Sequence, residues 1–170
     1  MERSDASARR RARWAYELGR VRFAAPYGAG AAVLVAIAGL IGAPSPPLFA
    51  VLSVALVVVC LAMPTISRRL ARQVRPGLLA GAVPMLAALV SVRGHGCADA
   101  CSDLCAPLCA VAGLVVGVWL GRSQARWGAL LVASLTASVG CIAVGAGGIA
   151  GALVGLALGT VPALAVRRRA

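Results

Sequence analysis

The sequence predicts an all-α membrane protein: a bundle of about six transmembrane helices, both termini on the cytoplasmic side, packed through glycine and alanine ridges. Three observations predict it. Hydrophobic residues make up 61% of the 170 and charged ones 13%, with a mean hydropathy of +0.90, against roughly 45–50% and about 25% in soluble domains. The apolar residues come in six runs near the length that crosses a bilayer, about 20 residues with roughly 17 to 25 as the usual range. The seventeen basic residues, all arginine, sit at the chain ends and in two short connections, Arg93 excepted. A net charge of +12 would suggest nucleic acid in a soluble protein, but this distribution is that of a chain obeying the positive-inside rule. The partner it implies is the lipid bilayer, and nucleic acid is excluded.

Residues 1–22 form a basic cytoplasmic tail or interfacial helix. On a helix, Trp14, Leu18 and Val21 share one face and Arg13 stands four residues before Glu17, which suits a helix lying on anionic lipid; a partly disordered tail is the alternative. Arg9-Arg10-Arg11 ahead of an apolar run has the look of a secretory signal, but the run is too long for one and more spans follow, so it reads as an uncleaved first span.

The transmembrane domain covers 23–166, with spans at 23–42, 48–64, 77–92, 107–121, 127–144 and 147–166. Ala43-Pro-Ser-Pro-Pro47 is a stiff turn between the first two spans. The connection 65–76 carries Arg68, Arg69, Arg72 and Arg75, and the third span is short and interrupted by Pro84. An outer cysteine-rich loop, 93–106, follows. Arg122-Ser-Gln-Ala-Arg126 is a basic turn before the fifth span, the Gly145-Ala-Gly-Gly148 region joins the last two, and 167–170 is a basic C-terminal tail. Counted by side, sixteen arginines fall inside and one outside when both termini are cytoplasmic. Trp119 and Trp127 then sit together at the inner interface, and the cysteine loop faces the exterior of a bacterial inner membrane, where thiols tend toward disulfides.

Helices in lipid gain little from burying apolar surface and associate where small residues let backbones approach. Gly147, Gly151, Gly155 and Gly159 recur every four residues in the sixth span, and Gly113, Gly117 and Gly121 in the fourth. Traced backwards, the fourth-span stripe runs through Cys109, Cys105, Cys101 and Cys97. The fourth helix therefore either begins near Cys97, with Pro107 kinking it, or starts at Pro107 after a separate short helix. Ala125, Ala129, Ala133 and Ala137 lead by the same step to Cys141, which should lie at the depth of Cys109 in an antiparallel neighbour, so that Cys105 or Cys109 could meet it. Cys60, in the second span, reads as a small apolar residue. The sixth-span ridge is one that an identical helix could meet, which makes a homo-oligomer a candidate assembly, as is a complex with another membrane protein.

Residues 93–109 are the only stretch where ionisable and sulfur side chains gather. Three readings compete for them. Cys97, Cys101, Cys105, Cys109 and Cys141 are disulfide candidates that would pin an outer hairpin; bridges within one helix are awkward because their Cβ vectors run parallel. A stripe of thiolates, with His95 adding a nitrogen, would instead take a soft metal: Cys97, Cys101, Cys105, Cys109 and His95 are the ligand set and Cu(I) or Zn(II) the ion, although the fold requires no cofactor. Thiol–disulfide exchange is the third reading, weakened by the lack of a Cys-x-x-Cys pair. No Asp, Glu, Lys, Arg or His lies inside a span, so a proton-coupled or cation pump is disfavoured. The expected function is thus non-enzymatic: a membrane scaffold or subunit of an envelope assembly, its outer cysteine hairpin disulfide-pinned or docking a partner, with soft-metal binding or transport as the alternative.

Overall fold

The computed structural model describes residues 2–41, 46–95, 102–122, 127–142 and 145–167, which form six α-helices and, among the described residues, no strand. They are α1 (Glu2–Ile41), α2 (Pro46–Ile66), α3 (Arg68–His95), α4 (Ser102–Arg122), α5 (Trp127–Cys141) and α6 (Ala146–Arg167). Three of them, α1, α2 and α3, are long and apolar enough to cross a membrane, and α4, α5 and α6 contain shorter apolar helices.

Several boundaries differ from those expected. The basic segment 2–22 and the first apolar run form one helix of 40 residues, about 60 Å long at 1.5 Å per residue. No element boundary falls at residue 22. Of the described side chains, residues 11 to 23 are all exposed, and burial begins at Ala24. The expected connection 65–76 shrinks to Ser67: α2 opens on Pro46 and Pro47, where a missing N–H costs nothing, and runs to Ile66, and α3 starts at Arg68. Ser67 caps α3, its Oγ accepting from the Arg69 N–H at 3.2 Å. The four arginines of that stretch therefore ride on the first two turns of a 28-residue helix. The fourth helix begins before Pro107, at Ser102, so the proline is interior and does not open it. Between α5 and α6, Gly145 has φ +91° and its N–H donates to the Ile142 carbonyl at 3.0 Å. A side chain there would be strained, so the reversal depends on glycine. Every helix except α5 contains at least one proline in its interior.

The most extensive contact is between α4 and α6, and the next between α3 and α5. Both pairs skip one helix in sequence and run parallel. A Cβ placed on Gly151 would lie 2.6 Å from the Ala106 carbonyl oxygen, and one on Gly117 would lie 2.6 Å from that of Leu156; Gly155 and Gly159 are pressed in the same way against Ala110 and Leu114. The increments of four along both helices keep register throughout. On the other pair, Gly77 meets Ala129 and Val132, and Gly81 meets Ala133 and Thr136. Such contacts leave room for hydrogen only, which is why the small-residue stripes lie here. The ridge of α6 is thus filled by α4 of the same chain and is not free to meet a second copy. Gly147, at its outer end, has only Ala106 Cβ at 3.9 Å, and Gly121, at the far end of the α4 stripe, is buried.

Helix α5 sits at the centre. Ten of its fifteen residues are buried, and it touches α1, α2, α3, α4 and α6. It contributes to all three apolar clusters, one of which gathers Leu56, Cys60, Val74, Val132 and Val139 from α2, α3 and α5. Cys60 is fully buried there as a packing residue. α1 lies antiparallel on α2, with Gly39 facing Phe49 at one end and Gly28 facing Leu61 toward the other.

Replacing Gly155 by Leu should drive a side chain into the Ala110 backbone and lower stability by about 1–3 kcal/mol, whereas Gly147→Ala should change it by less than about 0.5 kcal/mol. Thermal unfolding of the two variants in detergent, read by loss of helical circular dichroism, checks both values.

Candidate functional site

The cysteine-bearing region lies where α3 ends and α4 begins. Cys97 and Cys101 fall outside the described residues, and so do the side chains of His95 and Cys105. Of the predicted ligand set, Cys109 is the member whose surroundings the structure describes. It lies seven residues into α4, just past Pro107, on the stripe that continues as Gly113 and Gly117. That stripe is directed inward by the backbone contacts of both glycines with α6, so Cys109 has no exposed surface.

Across from it stands Cys141, the last residue of α5, also without exposed surface. The two sulfurs are 3.5 Å apart, the Cys141 thiol donating to Cys109 Sγ. Both are free thiols, as is Cys60. Around the pair, Ala88 of α3, Ala137 of α5 and Ala152 of α6 close an apolar cluster, with Ile149 packed against it. Four helices meet at this point. The alanines explain the closeness: only methyl groups separate the backbones, so α4 and α5, which otherwise barely touch, come together here through sulfur. Among the described residues no three His, Cys, Asp or Glu side chains converge in a way that would hold a metal ion.

Two reduced thiols in van der Waals contact and shielded from water can do one covalent thing with ease: lose two protons and two electrons to an oxidant that reaches them and join as a disulfide, which needs an S–S distance of about 2.05 Å. Buried thiols are otherwise inert, since the thiolate is the reactive form and an apolar site disfavours it.

Three other hydroxyls in the apolar helices bond within their own helices, while the buried Ser53 Oγ has no partner among the described residues. Thr136 Oγ1 donates to the Val132 carbonyl at 2.8 Å, Ser91 to Ala87 at 2.8 Å and Thr160 to Ala157 at 3.2 Å. This is the local bonding that hydroxyls adopt in apolar helices. Gln73, on the α3 stripe of Gly77 and Gly81, is buried against Gly128 with its Oε1 unpartnered. Sequence inspection passed it over; its step of four before Gly77 was the available signal.

Comparison with protein-family models, with curated proteins and with solved structures yields no match to this chain.

In a variant whose other four cysteines are serine, a membrane-permeant oxidant should link Cys109 to Cys141 within one chain. Intact mass should fall by two hydrogens, and the linked peptides should appear in the digest. The corresponding variant retaining Cys60 and Cys141 should show no linkage.

Proposed function

We propose that this chain is a non-enzymatic integral membrane scaffold or subunit of an envelope assembly. It crosses the cytoplasmic membrane six times with both termini inside, and its outer cysteine segment is pinned by disulfides or docks a partner. One observation carries this reading: the apolar side chains are distributed inside out. In the most apolar window of α2, only 17% of the residues are buried inside the protein. Leu40 of α1 is 83% exposed, Val90 of α3 70%, Val111 of α4 62% and Val161 of α6 64%, while the interior is built largely from alanine, glycine and cysteine. A water-soluble bundle would reverse that order, because large exposed apolar surfaces mark contact with lipid or another protein.

The six-span count is supported by the exposed leucines and valines of α4 and α6 as well as those of the three longer helices. At fifteen residues α5 measures about 22 Å, shorter than a hydrocarbon core of about 30 Å. Its burial at the bundle centre removes that mismatch from the lipid. Orientation rests on the arginine distribution, and Trp119 and Trp127, both exposed, then belong to the inner aromatic belt.

The soft-metal alternative draws support from the one pair of sulfurs brought together among the described residues. Thiolates suit Cu(I), and Cys109 and Cys141 would supply two ligands at the outer end, to which Cys97, Cys101, Cys105 and His95 would add.

A membrane-impermeant maleimide applied to intact cells separates these readings. On the scaffold reading, Cys97 and Cys101 label only after reduction, and Cys60, Cys109 and Cys141 stay unlabelled throughout. Labelling of Cys97 and Cys101 without reduction, together with copper or zinc in the purified protein, would favour the metal reading. No labelling of either under any condition would overturn the proposed topology.

A further inference from the structure

At the end of the bundle opposite the thiol pair, α1 crosses the junction between α2 and α3 and walls one side of a half-open cavity of about 910 Å³. Its wall carries three guanidinium groups, Arg20 from α1 and Arg68 and Arg72 from α3, beside the rings of Tyr16, Phe23 and Tyr27. We propose that this cavity is a binding site for an anionic phospholipid, the arginines taking the phosphate headgroup and the aromatic and apolar wall taking the start of an acyl chain. The proposal rests on the membrane reading above.

The arginines are more than a charge run. Arg20 is fixed in place: its guanidinium donates to the Thr65 carbonyl at the end of α2 and lies over the Tyr16 ring, 5.7 Å from the centroid. That carbonyl end would repel an anion, and Arg20 covers it. A guanidinium has five N–H donors, so one bond to a carbonyl leaves donors for a phosphate, which arginine grips bidentately. Arg68 and Arg72 stand on the first turns of α3, where the helix N-terminus adds positive potential. Among the described residues neither forms an ion pair, and Glu17, the one carboxylate whose side chain is described, lines a different hollow with Arg13 and Trp14. Among the described residues no carboxylate pairs with any of the three, and their positive charges around one concavity call for an anion.

The rest of the wall decides which anion. Phe23 and Tyr27 pack edge to face, ring centroids 6.0 Å apart, and Pro64 and Ile66 line the cavity too. A free phosphate would leave this apolar portion wet. A phospholipid fills both portions, and basic pockets between membrane helices on the cytoplasmic side are suited to doubly anionic headgroups.

The test uses the full chain in nanodiscs and in detergent. Binding of short-chain phosphatidylglycerol and cardiolipin is measured by native mass spectrometry and thermal shift, with phosphatidylcholine, inorganic phosphate and glycerol phosphate as separate arms. The proposal predicts saturable binding of the anionic lipids, with little effect of phosphatidylcholine or the free phosphates. Arg68→Gln with Arg72→Gln should weaken binding about thirtyfold, at about 1 kcal/mol per arginine, with helical content unchanged. The Lys/Lys double variant should retain most of it, and Arg122→Gln, on α4, should bind as wild type. Equal weakening by Arg122→Gln would reduce the effect to diffuse surface charge and overturn the site, and so would equal binding of inorganic phosphate. Failure of the chain to insert into nanodiscs at all would overturn the site and the membrane reading together; insertion without selective binding would overturn the site alone.

Discussion

Helices in this bundle can approach only as closely as their smallest side chains allow, and that constraint governs the rest of the structure. Lipid tails are as apolar as leucine, so no hydrophobic gain draws one helix to another in their midst. What remains is dispersion between well-fitted surfaces. Glycine at every fourth position lets a neighbour's carbonyl oxygen rest on a Cα, the geometry of weak C–H···O contacts of about 0.5–1 kcal/mol each. The α4–α6 and α3–α5 interfaces are built this way from Gly113, Gly117, Gly151, Gly155 and Gly159 on one side and Gly77 and Gly81 on the other. Many large residues are turned outward, as Leu40, Val90 and Val111 are, while Leu56, Met85, Leu89 and Leu120 are buried beside the small-residue ridges.

The placement of α5 follows from the same rule. A helix whose buried face is Gly128, Ala129, Ala133, Ala137 and Gly140 is thin enough to be surrounded, and it becomes the common neighbour of the rest. Its final residue then reaches the four-helix junction, where Cys109 and Cys141 meet among the methyl groups of Ala88, Ala137 and Ala152. The proximity of Cys109 and Cys141 is thus a by-product of ridge packing: each occupies the next step of a small-residue stripe. Neither sulfur is exposed, so an oxidant or an ion reaches the pair only when the start of α4 and the end of α5 part.

Composition and the spacing of small residues made much of this legible. The all-helical architecture, the approximate helix positions and the inward direction of the Gly113–Gly117 and Gly151–Gly159 stripes all follow from step-of-four patterns, which set a face without reference to any partner. The identity of the partner was not legible. The glycines of α6 are equally suited to an identical helix and to α4, and only the three-dimensional register showed that α4 takes them. The helices run on past the apolar runs at arginine for a physical reason. Arginine is a good helix former, so the basic stretches at 2–22 and 68–75 end an apolar run without ending the helix. The cavity of Arg20, Arg68 and Arg72 was invisible for a related cause: in sequence these residues read as topology signals, and their convergence depends on α1 continuing past the bundle. The predicted loop cysteines Cys97 and Cys101 lie outside the described residues, so this part of the site is known from spacing alone.

The skipped pairing has a consequence for how the protein is made. A chain entering the membrane from its N-terminus delivers α3 well before α5 and α4 well before α6. For that interval two glycine stripes have no partner. Neither hairpin of sequential helices can settle on its own, because the deepest contacts of α3 and α4 lie with helices not yet synthesised. The α3–α5 interface can close once α5 is made, but the α4 stripe waits for the last helix, so a chain stopped before α6 would leave Gly113 and Gly117 without the Ala152 and Leu156 backbone they pack against.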